Sequence, residues 1–374
     1  MTSRRIVAFV SAFVLVFFIP LAPPASGARA TDVSAASAVL MDADSGRFLY
    51  EKNSREPMLI ASTTKIMTAL VVLQNRDLDE VVTIAEEQTG VEGSSMYLKP
   101  DEQLTVRELL YGLLILSGND AAEVLAVHCA GDVPSFAEQM NAKARELNLL
   151  RTHFENPHGL NANAHYSCAR DLAIIAREAL RNEEFRRIVS TQSISIAGRS
   201  MQSHNRLLTD YEGAVGVKTG YTMKAGHCLV SAAERDGRLL IAVTLNAPDY
   251  WDDNMAMLDD GFALFKPRTL CTADDNMGRV PVFTGAESHV SACARQSLSM
   301  PLTDEELPRV ELTLRLPWYV WAPVDRGAHA GYARYLLDGR LLGQVELYYA
   351  DDVSAQTPKK SFWQSLEEFI ERVG

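Results

Sequence analysis

The chain has 374 residues, 47% of them hydrophobic, so it is long enough for two domains with a large core. Its net charge of −12 argues against a nucleic-acid partner, because phosphate binding needs a basic surface. None of the five cysteines is paired at the spacing of a metal site, and we expect neither a metal nor a cofactor. Most should be small buried hydrophobes, and Cys271 with Cys293 is the one pair that could form a bridge.

The first 30 residues have the pattern of a cleaved signal peptide. Arg4-Arg5 precede an apolar run from Ile6 to Ile19, and prolines and small residues follow it. The run is too short to span a bilayer comfortably, so we expect cleavage between Ala28 and Asp32. The mature protein should then act outside the cytoplasm, either at the outer face of the cytoplasmic membrane or in the cell wall.

A hairpin and a buried helix are predicted next. Residues 38–42 and 47–50 are short apolar runs around a glycine-containing turn. The stretch 61–73 is apolar at almost every position after Lys65, which is typical of a helix in the middle of a domain. Ser62 and Lys65 are three positions apart and should share one face of its first turn.

Two further helices should meet at a short polar link. Thr105 and Glu108 form a capping box, which places the start of the first. We expect Gly118 to end that helix and Asn119 or Asp120 to cap the next.

The pattern then changes from helical to extended. Helices should begin near Ser135 and Ser167, with a loop between them at 156–160. The predicted strands are 215–221, 228–233 and 239–245, and a closing helix follows at 255–265. A hairpin, then helices, then strands predict an α+β catalytic domain over residues 31–266, whose antiparallel sheet is assembled from both ends of the segment.

Residues 267–355 read as a small all-β domain. Alternating residues at 310–316 and two runs at 332–337 and 341–349, separated by Asp338-Gly339, predict antiparallel strands.

The last stretch, 356–374, reads as a polar tether and an amphipathic helix. Its apolar residues fall within an arc of roughly 120°; they are Phe362, Trp363, Leu366, Phe369, Ile370 and Val373. Two interpretations stay open: the helix lies in a membrane interface, or it docks on the β domain.

Three polar motifs together point to acyl transfer. They are Ser62 with Lys65, Ser117 with Asn119, and Lys218-Thr219-Gly220. Each is common alone, but their order and separation match the three-motif pattern of serine acyl transferases that bind penicillin. A buried lysine amine is neutral more readily than an exposed one, and it can then accept the proton of a serine hydroxyl.

The chemistry of acyl transfer gives each remaining residue a task. Ser117 can protonate the departing amine, and Asn119 can hold a substrate amide. Lys218 and Thr219 suit a free carboxylate on the substrate, although Lys218 could instead orient Ser117 electrostatically. Gly220 leaves room for substrate along the strand edge. The N–H groups of Ser62 and Tyr221 could form an oxyanion hole.

On these residues the sequence resembles the low-molecular-mass penicillin-binding proteins that act as D-alanyl-D-alanine carboxypeptidases. The matching stretches are Ala61-Ser62-Thr63-Thr64-Lys65, Ser117-Gly118-Asn119, Lys218-Thr219-Gly220-Tyr221-Thr222 and Asn156-Pro157-His158-Gly159-Leu160. The resemblance implies a β-lactamase-like catalytic domain, a small β domain and a C-terminal membrane anchor. It also implies removal of the terminal D-alanine from peptidoglycan stem pentapeptides, inhibition by β-lactam antibiotics, and the residue roles given above. Some family members have histidine where this chain has Tyr221, which could alter substrate preference.

Two rival interpretations remain. A class A β-lactamase needs a glutamate in a Glu-x-x-Leu-Asn setting for deacylation, and Glu146-Leu147-Asn148 and Glu155-Asn156 are the nearest approaches, neither with the right spacing. A non-catalytic penicillin sensor could keep the same fold and the acylated serine.

Overall fold

The computed structural model describes residues 32–356. The predicted signal peptide and the amphipathic segment lie outside these residues. A mixed helix and sheet region comes first, and an all-β region follows it, as the sequence predicted. No helix among the described residues is long and apolar enough to cross a membrane.

The described helices are α1 (Lys65–Asn75), α2 (Val106–Ile115), α3 (Asn119–Ala130), α4 (Val133–Glu146), α5 (Ala169–Ala179), α6 (Glu183–Val189), α7 (Leu207–Asp210) and α8 (Tyr250–Leu264). The strands of the first region are β1 (Ser37–Asp42), β2 (Phe48–Lys52), β3 (Val81–Thr83), β4 (Gln103–Thr105), β5 (Ser193–Ile196), β6 (Arg199–Gln202), β7 (Ala214–Thr222), β8 (Gly226–Arg235) and β9 (Arg238–Leu245). Those of the second are β10 (Lys266–Cys271), β11 (Asn276–Phe283), β12 (His289–Ala294), β13 (Leu298–Leu302), β14 (Val310–Arg315), β15 (Val320–Trp321), β16 (His329–Leu337) and β17 (Arg340–Tyr349).

A five-stranded antiparallel sheet organises the first region, in the order β2-β1-β9-β8-β7. The N-terminal hairpin joins the three later strands through β1 and β9, so the sheet is assembled from both ends, as predicted. Alternate residues of β1 face opposite sides. Val39 and Met41 pack into the larger core with helix α1, whereas Leu40 packs on the other side with Leu258 of α8.

The helix after Lys65 is buried along most of its length, as its composition predicts. All residues from Lys65 to Val72 are buried in α1. Ser62, however, is not in this α-helix but in a preceding 3₁₀ turn, Ala61–Thr64. In a 3₁₀ turn residues three apart are eclipsed, so Ser62 and Lys65 still lie on the same side.

The link between α2 and α3 differs from the prediction. The capping box forms, with Thr105 Oγ1 accepting from Glu108 N and Glu108 Oε2 accepting from Thr105 N. The expected stop at Gly118 is wrong: α2 ends at Ile115, and Ser117 rather than a glycine takes the left-handed backbone, at φ 60°.

The predicted cap of α3 is also wrong. Gly118 occupies the N-cap position and Asn119 is already the first helical residue. The Asp120 carboxylate instead accepts hydrogen bonds from Met96 N (2.9 Å) and Leu98 N (3.2 Å). These bonds fix a neighbouring loop to the start of α3.

The second region is built on a six-stranded sheet in the order β14-β16-β17-β12-β11-β15, with β10 and β13 forming a separate pair. The three strands expected from the sequence correspond to β14, β16 and β17. The five cysteines are buried and free, so the possible bridge between Cys271 and Cys293 does not form.

Candidate active site

Ser62 is presented by a strained turn. The preceding residue, Ala61, has φ 46°, a left-handed conformation that costs a non-glycine residue about 1–2 kcal/mol. Hydroxyls of the next two residues stabilise the turn, Thr63 Oγ1 donating to Ile60 O (2.6 Å) and Thr64 Oγ1 to Ala61 O (2.8 Å). Ser62 itself stays half-buried, while its neighbours on both sides are buried.

The Lys65 amine has three neighbours within hydrogen-bond distance. Lys65 Nζ lies 3.0 Å from Ser62 Oγ, 2.7 Å from Asn119 Oδ1 and 2.8 Å from His158 O. The last two atoms only accept hydrogen bonds. A neutral amine has two N–H donors and one lone pair. With both donors given to Asn119 and His158, its lone pair faces the Ser62 hydroxyl.

Electrostatics favour this neutral amine. Lys65 is completely buried, and that burial is the main cause that holds the pKa of its amine well below the ordinary lysine value. The positive charge of Lys218 lowers the pKa further, and the Asp120 carboxylate partly opposes both effects. The site therefore contains a base beside a hydroxyl.

Asn119 fixes the amine in place. Its Nδ2 donates to Glu92 O (2.5 Å), which leaves Oδ1 as the atom that faces Lys65. Its backbone N donates to Ser94 O (2.7 Å). A loop over residues 89–97 therefore determines which end of the Asn119 amide meets the lysine, a contact that the sequence alone did not reveal.

The second motif reaches the site through Asn119. Ser117 stands two residues before it, is 4% exposed, and lies in the strained link between α2 and α3. Because Asn119 contacts Lys65 directly, the Ser117 loop belongs to the same cleft as Ser62.

The third motif lies on β7, the edge strand of the sheet. Lys218 is 2% exposed, donates to Thr219 O (3.0 Å), and has a pKa lowered to about 7 by burial. A Cβ at Gly220 would lie 2.9 Å from Ser62 N and 3.1 Å from Thr63 N. The glycine is thus required for close packing of the strand on the Ser62 turn, a reason that the sequence interpretation did not give. Tyr221 is 58% exposed, and its ring lies against that of His227 with centroids 4.6 Å apart and a tilt of 33°.

The loop 156–160 packs against the buried Lys65 amine. Asn156 Oδ1 accepts from Gly159 N (2.7 Å), and this local turn aims the His158 carbonyl at Lys65. Leu160 N donates to His158 Nδ1, so the remaining ring proton is on Nε2, 3.5 Å from Glu123 Oε1. Burial is the main cause that lowers the pKa of His158 to about 3, and Lys65 lowers it further whenever its amine is protonated. Sequence reasoning noted this loop but assigned it no role.

The three polar motifs therefore converge on one cleft. Ser62 Oγ lies 3.0 Å from the buried Lys65 amine, whose pKa is lowered by burial and by the charge of Lys218. Ser117 stands two residues before the Asn119 that contacts this amine. Among residues 32–356 no group of three or more histidines, cysteines or carboxylates could hold a metal ion. Such a cleft is typical of serine hydrolases in which lysine takes the place of histidine as the base.

Comparisons with known proteins agree with this class. The family model of D-alanyl-D-alanine carboxypeptidases, peptidase family S11, matches residues 24–249, and that of the penicillin-binding protein 5 C-terminal domain matches residues 265–355. The D-alanyl-D-alanine carboxypeptidase DacF of Bacillus subtilis (strain 168) is 32% identical over 343 residues, which cover 87% of this chain and 88% of the relative. That of Streptomyces sp. (strain K15) is 37% identical, over 65% of this chain and 92% of its own.

Solved structures extend the likeness to the whole described fold. Penicillin-binding protein 5 from Haemophilus influenzae superposes with a TM-score of 0.76 at 31% identity, covering 88% of this chain and all of that one. The chain belongs to the D-alanyl-D-alanine carboxypeptidase family of serine peptidases, the low-molecular-mass penicillin-binding proteins.

Proposed function

We propose that this protein is a serine-type D-Ala-D-Ala carboxypeptidase that removes the terminal D-alanine from peptidoglycan stem pentapeptides through an acyl-enzyme on Ser62. The observation that carries the proposal is the environment of Lys65. Its two N–H groups are occupied by Asn119 Oδ1 and His158 O, which leaves the lone pair for the Ser62 hydroxyl.

Acylation begins when Ser62 Oγ attacks the carbonyl carbon of the D-Ala-D-Ala bond and its proton passes to Lys65 Nζ. The developing oxyanion is held by the N–H groups of Ser62 and Tyr221, as the packing of β7 against the Ser62 turn supports. Ser117 delivers a proton to the departing D-alanine nitrogen, because an amine cannot leave as an anion. Lys65 reprotonates Ser117 with the proton taken from Ser62, and its amine becomes neutral again. Water then attacks the ester carbonyl and gives a proton to neutral Lys65. A proton returns to Ser62 Oγ as the ester bond breaks, which frees Ser62.

Substrate recognition falls to Asn119 and the end of β7. The Asn119 Oδ1 atom is engaged by Lys65, so any substrate carbonyl must take the second proton of Nδ2. Lys218 supplies positive charge and Thr219 a hydroxyl for the terminal carboxylate, and Gly220 and Tyr221 line the strand edge. β-Lactam antibiotics act as inhibitors on the same route, because the amine freed by ring opening stays attached to the acyl group and cannot diffuse away.

Replacing the nucleophile tests the proposal. Ser62→Ala should abolish both labelling by a fluorescent penicillin and D-alanine release from a purified pentapeptide, measured by mass spectrometry. The matched control Ser190→Ala removes an exposed hydroxyl that bonds only Arg187 O among the described residues, and should retain both activities. Turnover by the Ser62 variant would refute the assignment.

The kinetics of D-alanine release separate an enzyme from a penicillin sensor. Sustained release from a diacyl-D-Ala-D-Ala peptide supports the carboxypeptidase, whereas one stoichiometric acylation supports a sensor. A class A β-lactamase needs a glutamate as the base for deacylation, and neither of the two nearest glutamates in the sequence suits that role. Glu146 is paired with Lys143, and Glu155 accepts from Ala164 N.

We also propose that the protein is exported and attached to the outer face of the cytoplasmic membrane by its C-terminal segment. The division that we assign is signal peptide 1–30, catalytic domain 31–266, β domain 267–355, and tether with amphipathic helix 356–374. The end of α8 at Leu264 and the start of β10 at Lys266 support the internal boundary. Deleting residues 361–374 should release the protein from membranes without loss of turnover, and unchanged fractionation would favour a docked helix.

A further inference from the structure

The β domain carries an exposed group of aromatic side chains, here called the aromatic cluster: Phe283, Trp318, Tyr319 and Trp321. Their exposed fractions are 50%, 93%, 48% and 61% respectively. The rings of Phe283 and Tyr319 meet edge to face with centroids 4.9 Å apart, and Trp321 lies 5.5 Å from Phe283. Side chains of this size are normally buried, so their grouping in solvent indicates an interaction surface.

Strand geometry places the cluster on the outer side of the sheet. Strand β15 is the edge strand and runs parallel to β11, with Val282 opposite Val320 and Phe283 opposite Trp321. Val282 is 8% exposed and packs in the β-domain core with Val320. Because side chains alternate along a strand, the aromatic pair faces away from that core, where a polar pair would normally stand.

The chain leaves the β domain beside this cluster. Gln356 N donates to Thr284 O (2.7 Å), Ala286 N donates to Ser354 O (2.8 Å), and Val324 and Val353 bond each other in both directions. Thr284 directly follows Phe283 along the chain. From Gln356 the extended chain reaches Ser361 within about 18 Å. The predicted amphipathic segment is therefore joined by a short length of chain to a residue that is hydrogen-bonded beside Phe283.

We propose that the aromatic cluster inserts into the interfacial layer of a phospholipid bilayer and forms a second membrane contact beside the C-terminal segment. Tryptophan and tyrosine favour this layer because their rings are apolar and their polar atoms stay near water. Two weak signals are generally needed for stable attachment, and the cluster supplies one of them. The inference rests on the membrane attachment proposed above and not on the carboxypeptidase activity.

Two other occupants are less consistent with the geometry. A glycan strand would stack on a flat ring face, but Tyr319 stands at 85° to Phe283 and 84° to Trp321, so these rings form no common shelf. The amphipathic segment itself could cover the cluster, but its apolar stripe would then leave the bilayer without an anchor. A bilayer accommodates both apolar surfaces at once.

Vesicle binding of the full mature chain tests the proposal. The double variant Trp318→Ser/Trp321→Ser should lower partitioning onto phosphatidylglycerol–phosphatidylethanolamine vesicles roughly a hundredfold, since burial of each apolar side chain contributes about a factor of ten. The control Leu150→Ser removes an 87% exposed apolar side chain from the catalytic domain and should bind as the parent does. D-Alanine release from a soluble peptide, measured on the same samples, should be unchanged in both variants.

The outcomes distinguish the possibilities. Two results together support the proposal. The double variant binds vesicles less well, and bromine-labelled lipids quench the tryptophan fluorescence of the parent more than that of the double variant. Unchanged or increased binding overturns it, and an increase would mean that the C-terminal segment covers the cluster. Loss of retention on isolated peptidoglycan with unchanged vesicle binding would also overturn it in favour of glycan stacking.

A parallel variant, Phe369→Ser/Ile370→Ser, reports on the C-terminal segment alone. If this variant lost vesicle binding while the double tryptophan variant did not, the C-terminal anchor would be supported and the membrane role of the aromatic cluster would be rejected.

Discussion

Two buried lysines give the cleft opposite chemical tasks. Lys65 has two acceptors for its N–H groups, and in the proposed mechanism it serves as a base when neutral. Lys218 has a pKa of about 7, lowered by burial, so it changes charge near neutral pH. The positive form of Lys218 lowers the pKa of Lys65, and in the proposed mechanism it also attracts a substrate carboxylate.

The pH dependence of substrate recognition follows from Lys218. As pH rises through about 7 the free enzyme loses this positive charge, so kcat/KM for a peptide with a free terminal carboxylate should fall relative to its C-terminal amide. Lys218→Gln should weaken the carboxylate peptide more than the amide at pH 6 and remove the difference in pH dependence. Equal losses for both peptides would instead assign Lys218 to orienting Ser117.

A second residue-scale prediction concerns acid stability. His158 has a folded pKa of about 3 against an ordinary value of 6.5, so only the unfolded chain gains a proton between these values. Its contribution to stability is complete above about pH 6.5 and is lost as pH falls towards 3, at about 1.4 kcal/mol per pKa unit. His158→Asn keeps an acceptor for Leu160 N and should flatten the decline in unfolding free energy, measured by urea titration from pH 7 to 4. An unchanged slope would contradict it.

The sequence singled out the candidate reactive residues but not the atoms that contact them. Ser62, Lys65 and the Lys218 strand could be found because their spacing is itself the signal. The contacts Lys65–His158 O and Asn119–Glu92 O involve backbone carbonyls, which every residue has, so no residue type marks them. Only the path of the chain determines which carbonyls reach the amine.

At the scale of elements, the Ser62 turn is held by the close approach of the loop 156–160. A Cβ at Gly159 would lie 1.9 Å from Ala61 O, and this glycine has φ 91°. The loop thus touches the same strained residue that presents Ser62. Any movement of one element must displace the other.

A pair of glycines isolates that contact. Gly159→Ala should cost several kcal/mol of unfolding free energy and most of the kcat, because a methyl group cannot share space with the Ala61 carbonyl. Gly131→Ala is the matched control, with φ 89° and nothing within 4 Å of the added Cβ, and should cost about 1 kcal/mol with kcat retained. The two stabilities can be compared by denaturant unfolding. Equal losses would mean that backbone conformation, and not the contact, matters.

Element boundaries show where sequence signals mislead. The Thr105–Glu108 capping box was predicted correctly, since both halves of that interaction are local. Gly118 was assigned as a helix stop from its residue type, but the backbone places the left-handed residue at Ser117 instead. The link between α2 and α3 is shaped by its bonds to the distant loop 89–97, such as Asn119 N to Ser94 O, and a local pattern carries no information about these.

At the scale of the whole molecule, one ion pair joins the two regions. Arg47, in the turn between β1 and β2, donates to both carboxylate oxygens of Glu306, at 2.5 and 3.1 Å, and also to Pro301 O. The two side chains are only 13% and 7% exposed. Arg47 also lies over the Phe265 ring, at the end of α8.

Removing one partner should uncouple the regions. Arg47→Met leaves the Glu306 carboxylate buried without its counterion and should lower the free energy of unfolding by roughly 3 kcal/mol. In calorimetry this loss should appear as a lower unfolding temperature of the β region. The double variant Arg47→Met/Glu306→Leu should recover much of that loss, because no buried charge then remains unpaired. A single variant as stable as the parent would show that the pair contributes nothing to the coupling.

The division into a mixed region and an all-β region could be predicted, because a change of hydrophobic period extends over many residues. Strands β10 to β13 were not predicted. Strand β11 carries Gly278 and Pro281 among its residues, and its buried positions, Val280 and Val282, are too few to form a clear alternation. The Arg47–Glu306 pair joins residues 259 positions apart and has no local signal.

The shared amine also limits how the protein could evolve tolerance to drugs. In the proposed mechanism natural peptide and antibiotic both depend on the Lys65 lone pair, so a substitution that loosens Asn119 or the His158 carbonyl should slow attack on both. Selection for survival under antibiotic treatment should therefore act at the entrance. There, the exposed side chain of Tyr221 can change, because every residue except proline keeps the backbone N–H that we propose for the oxyanion hole.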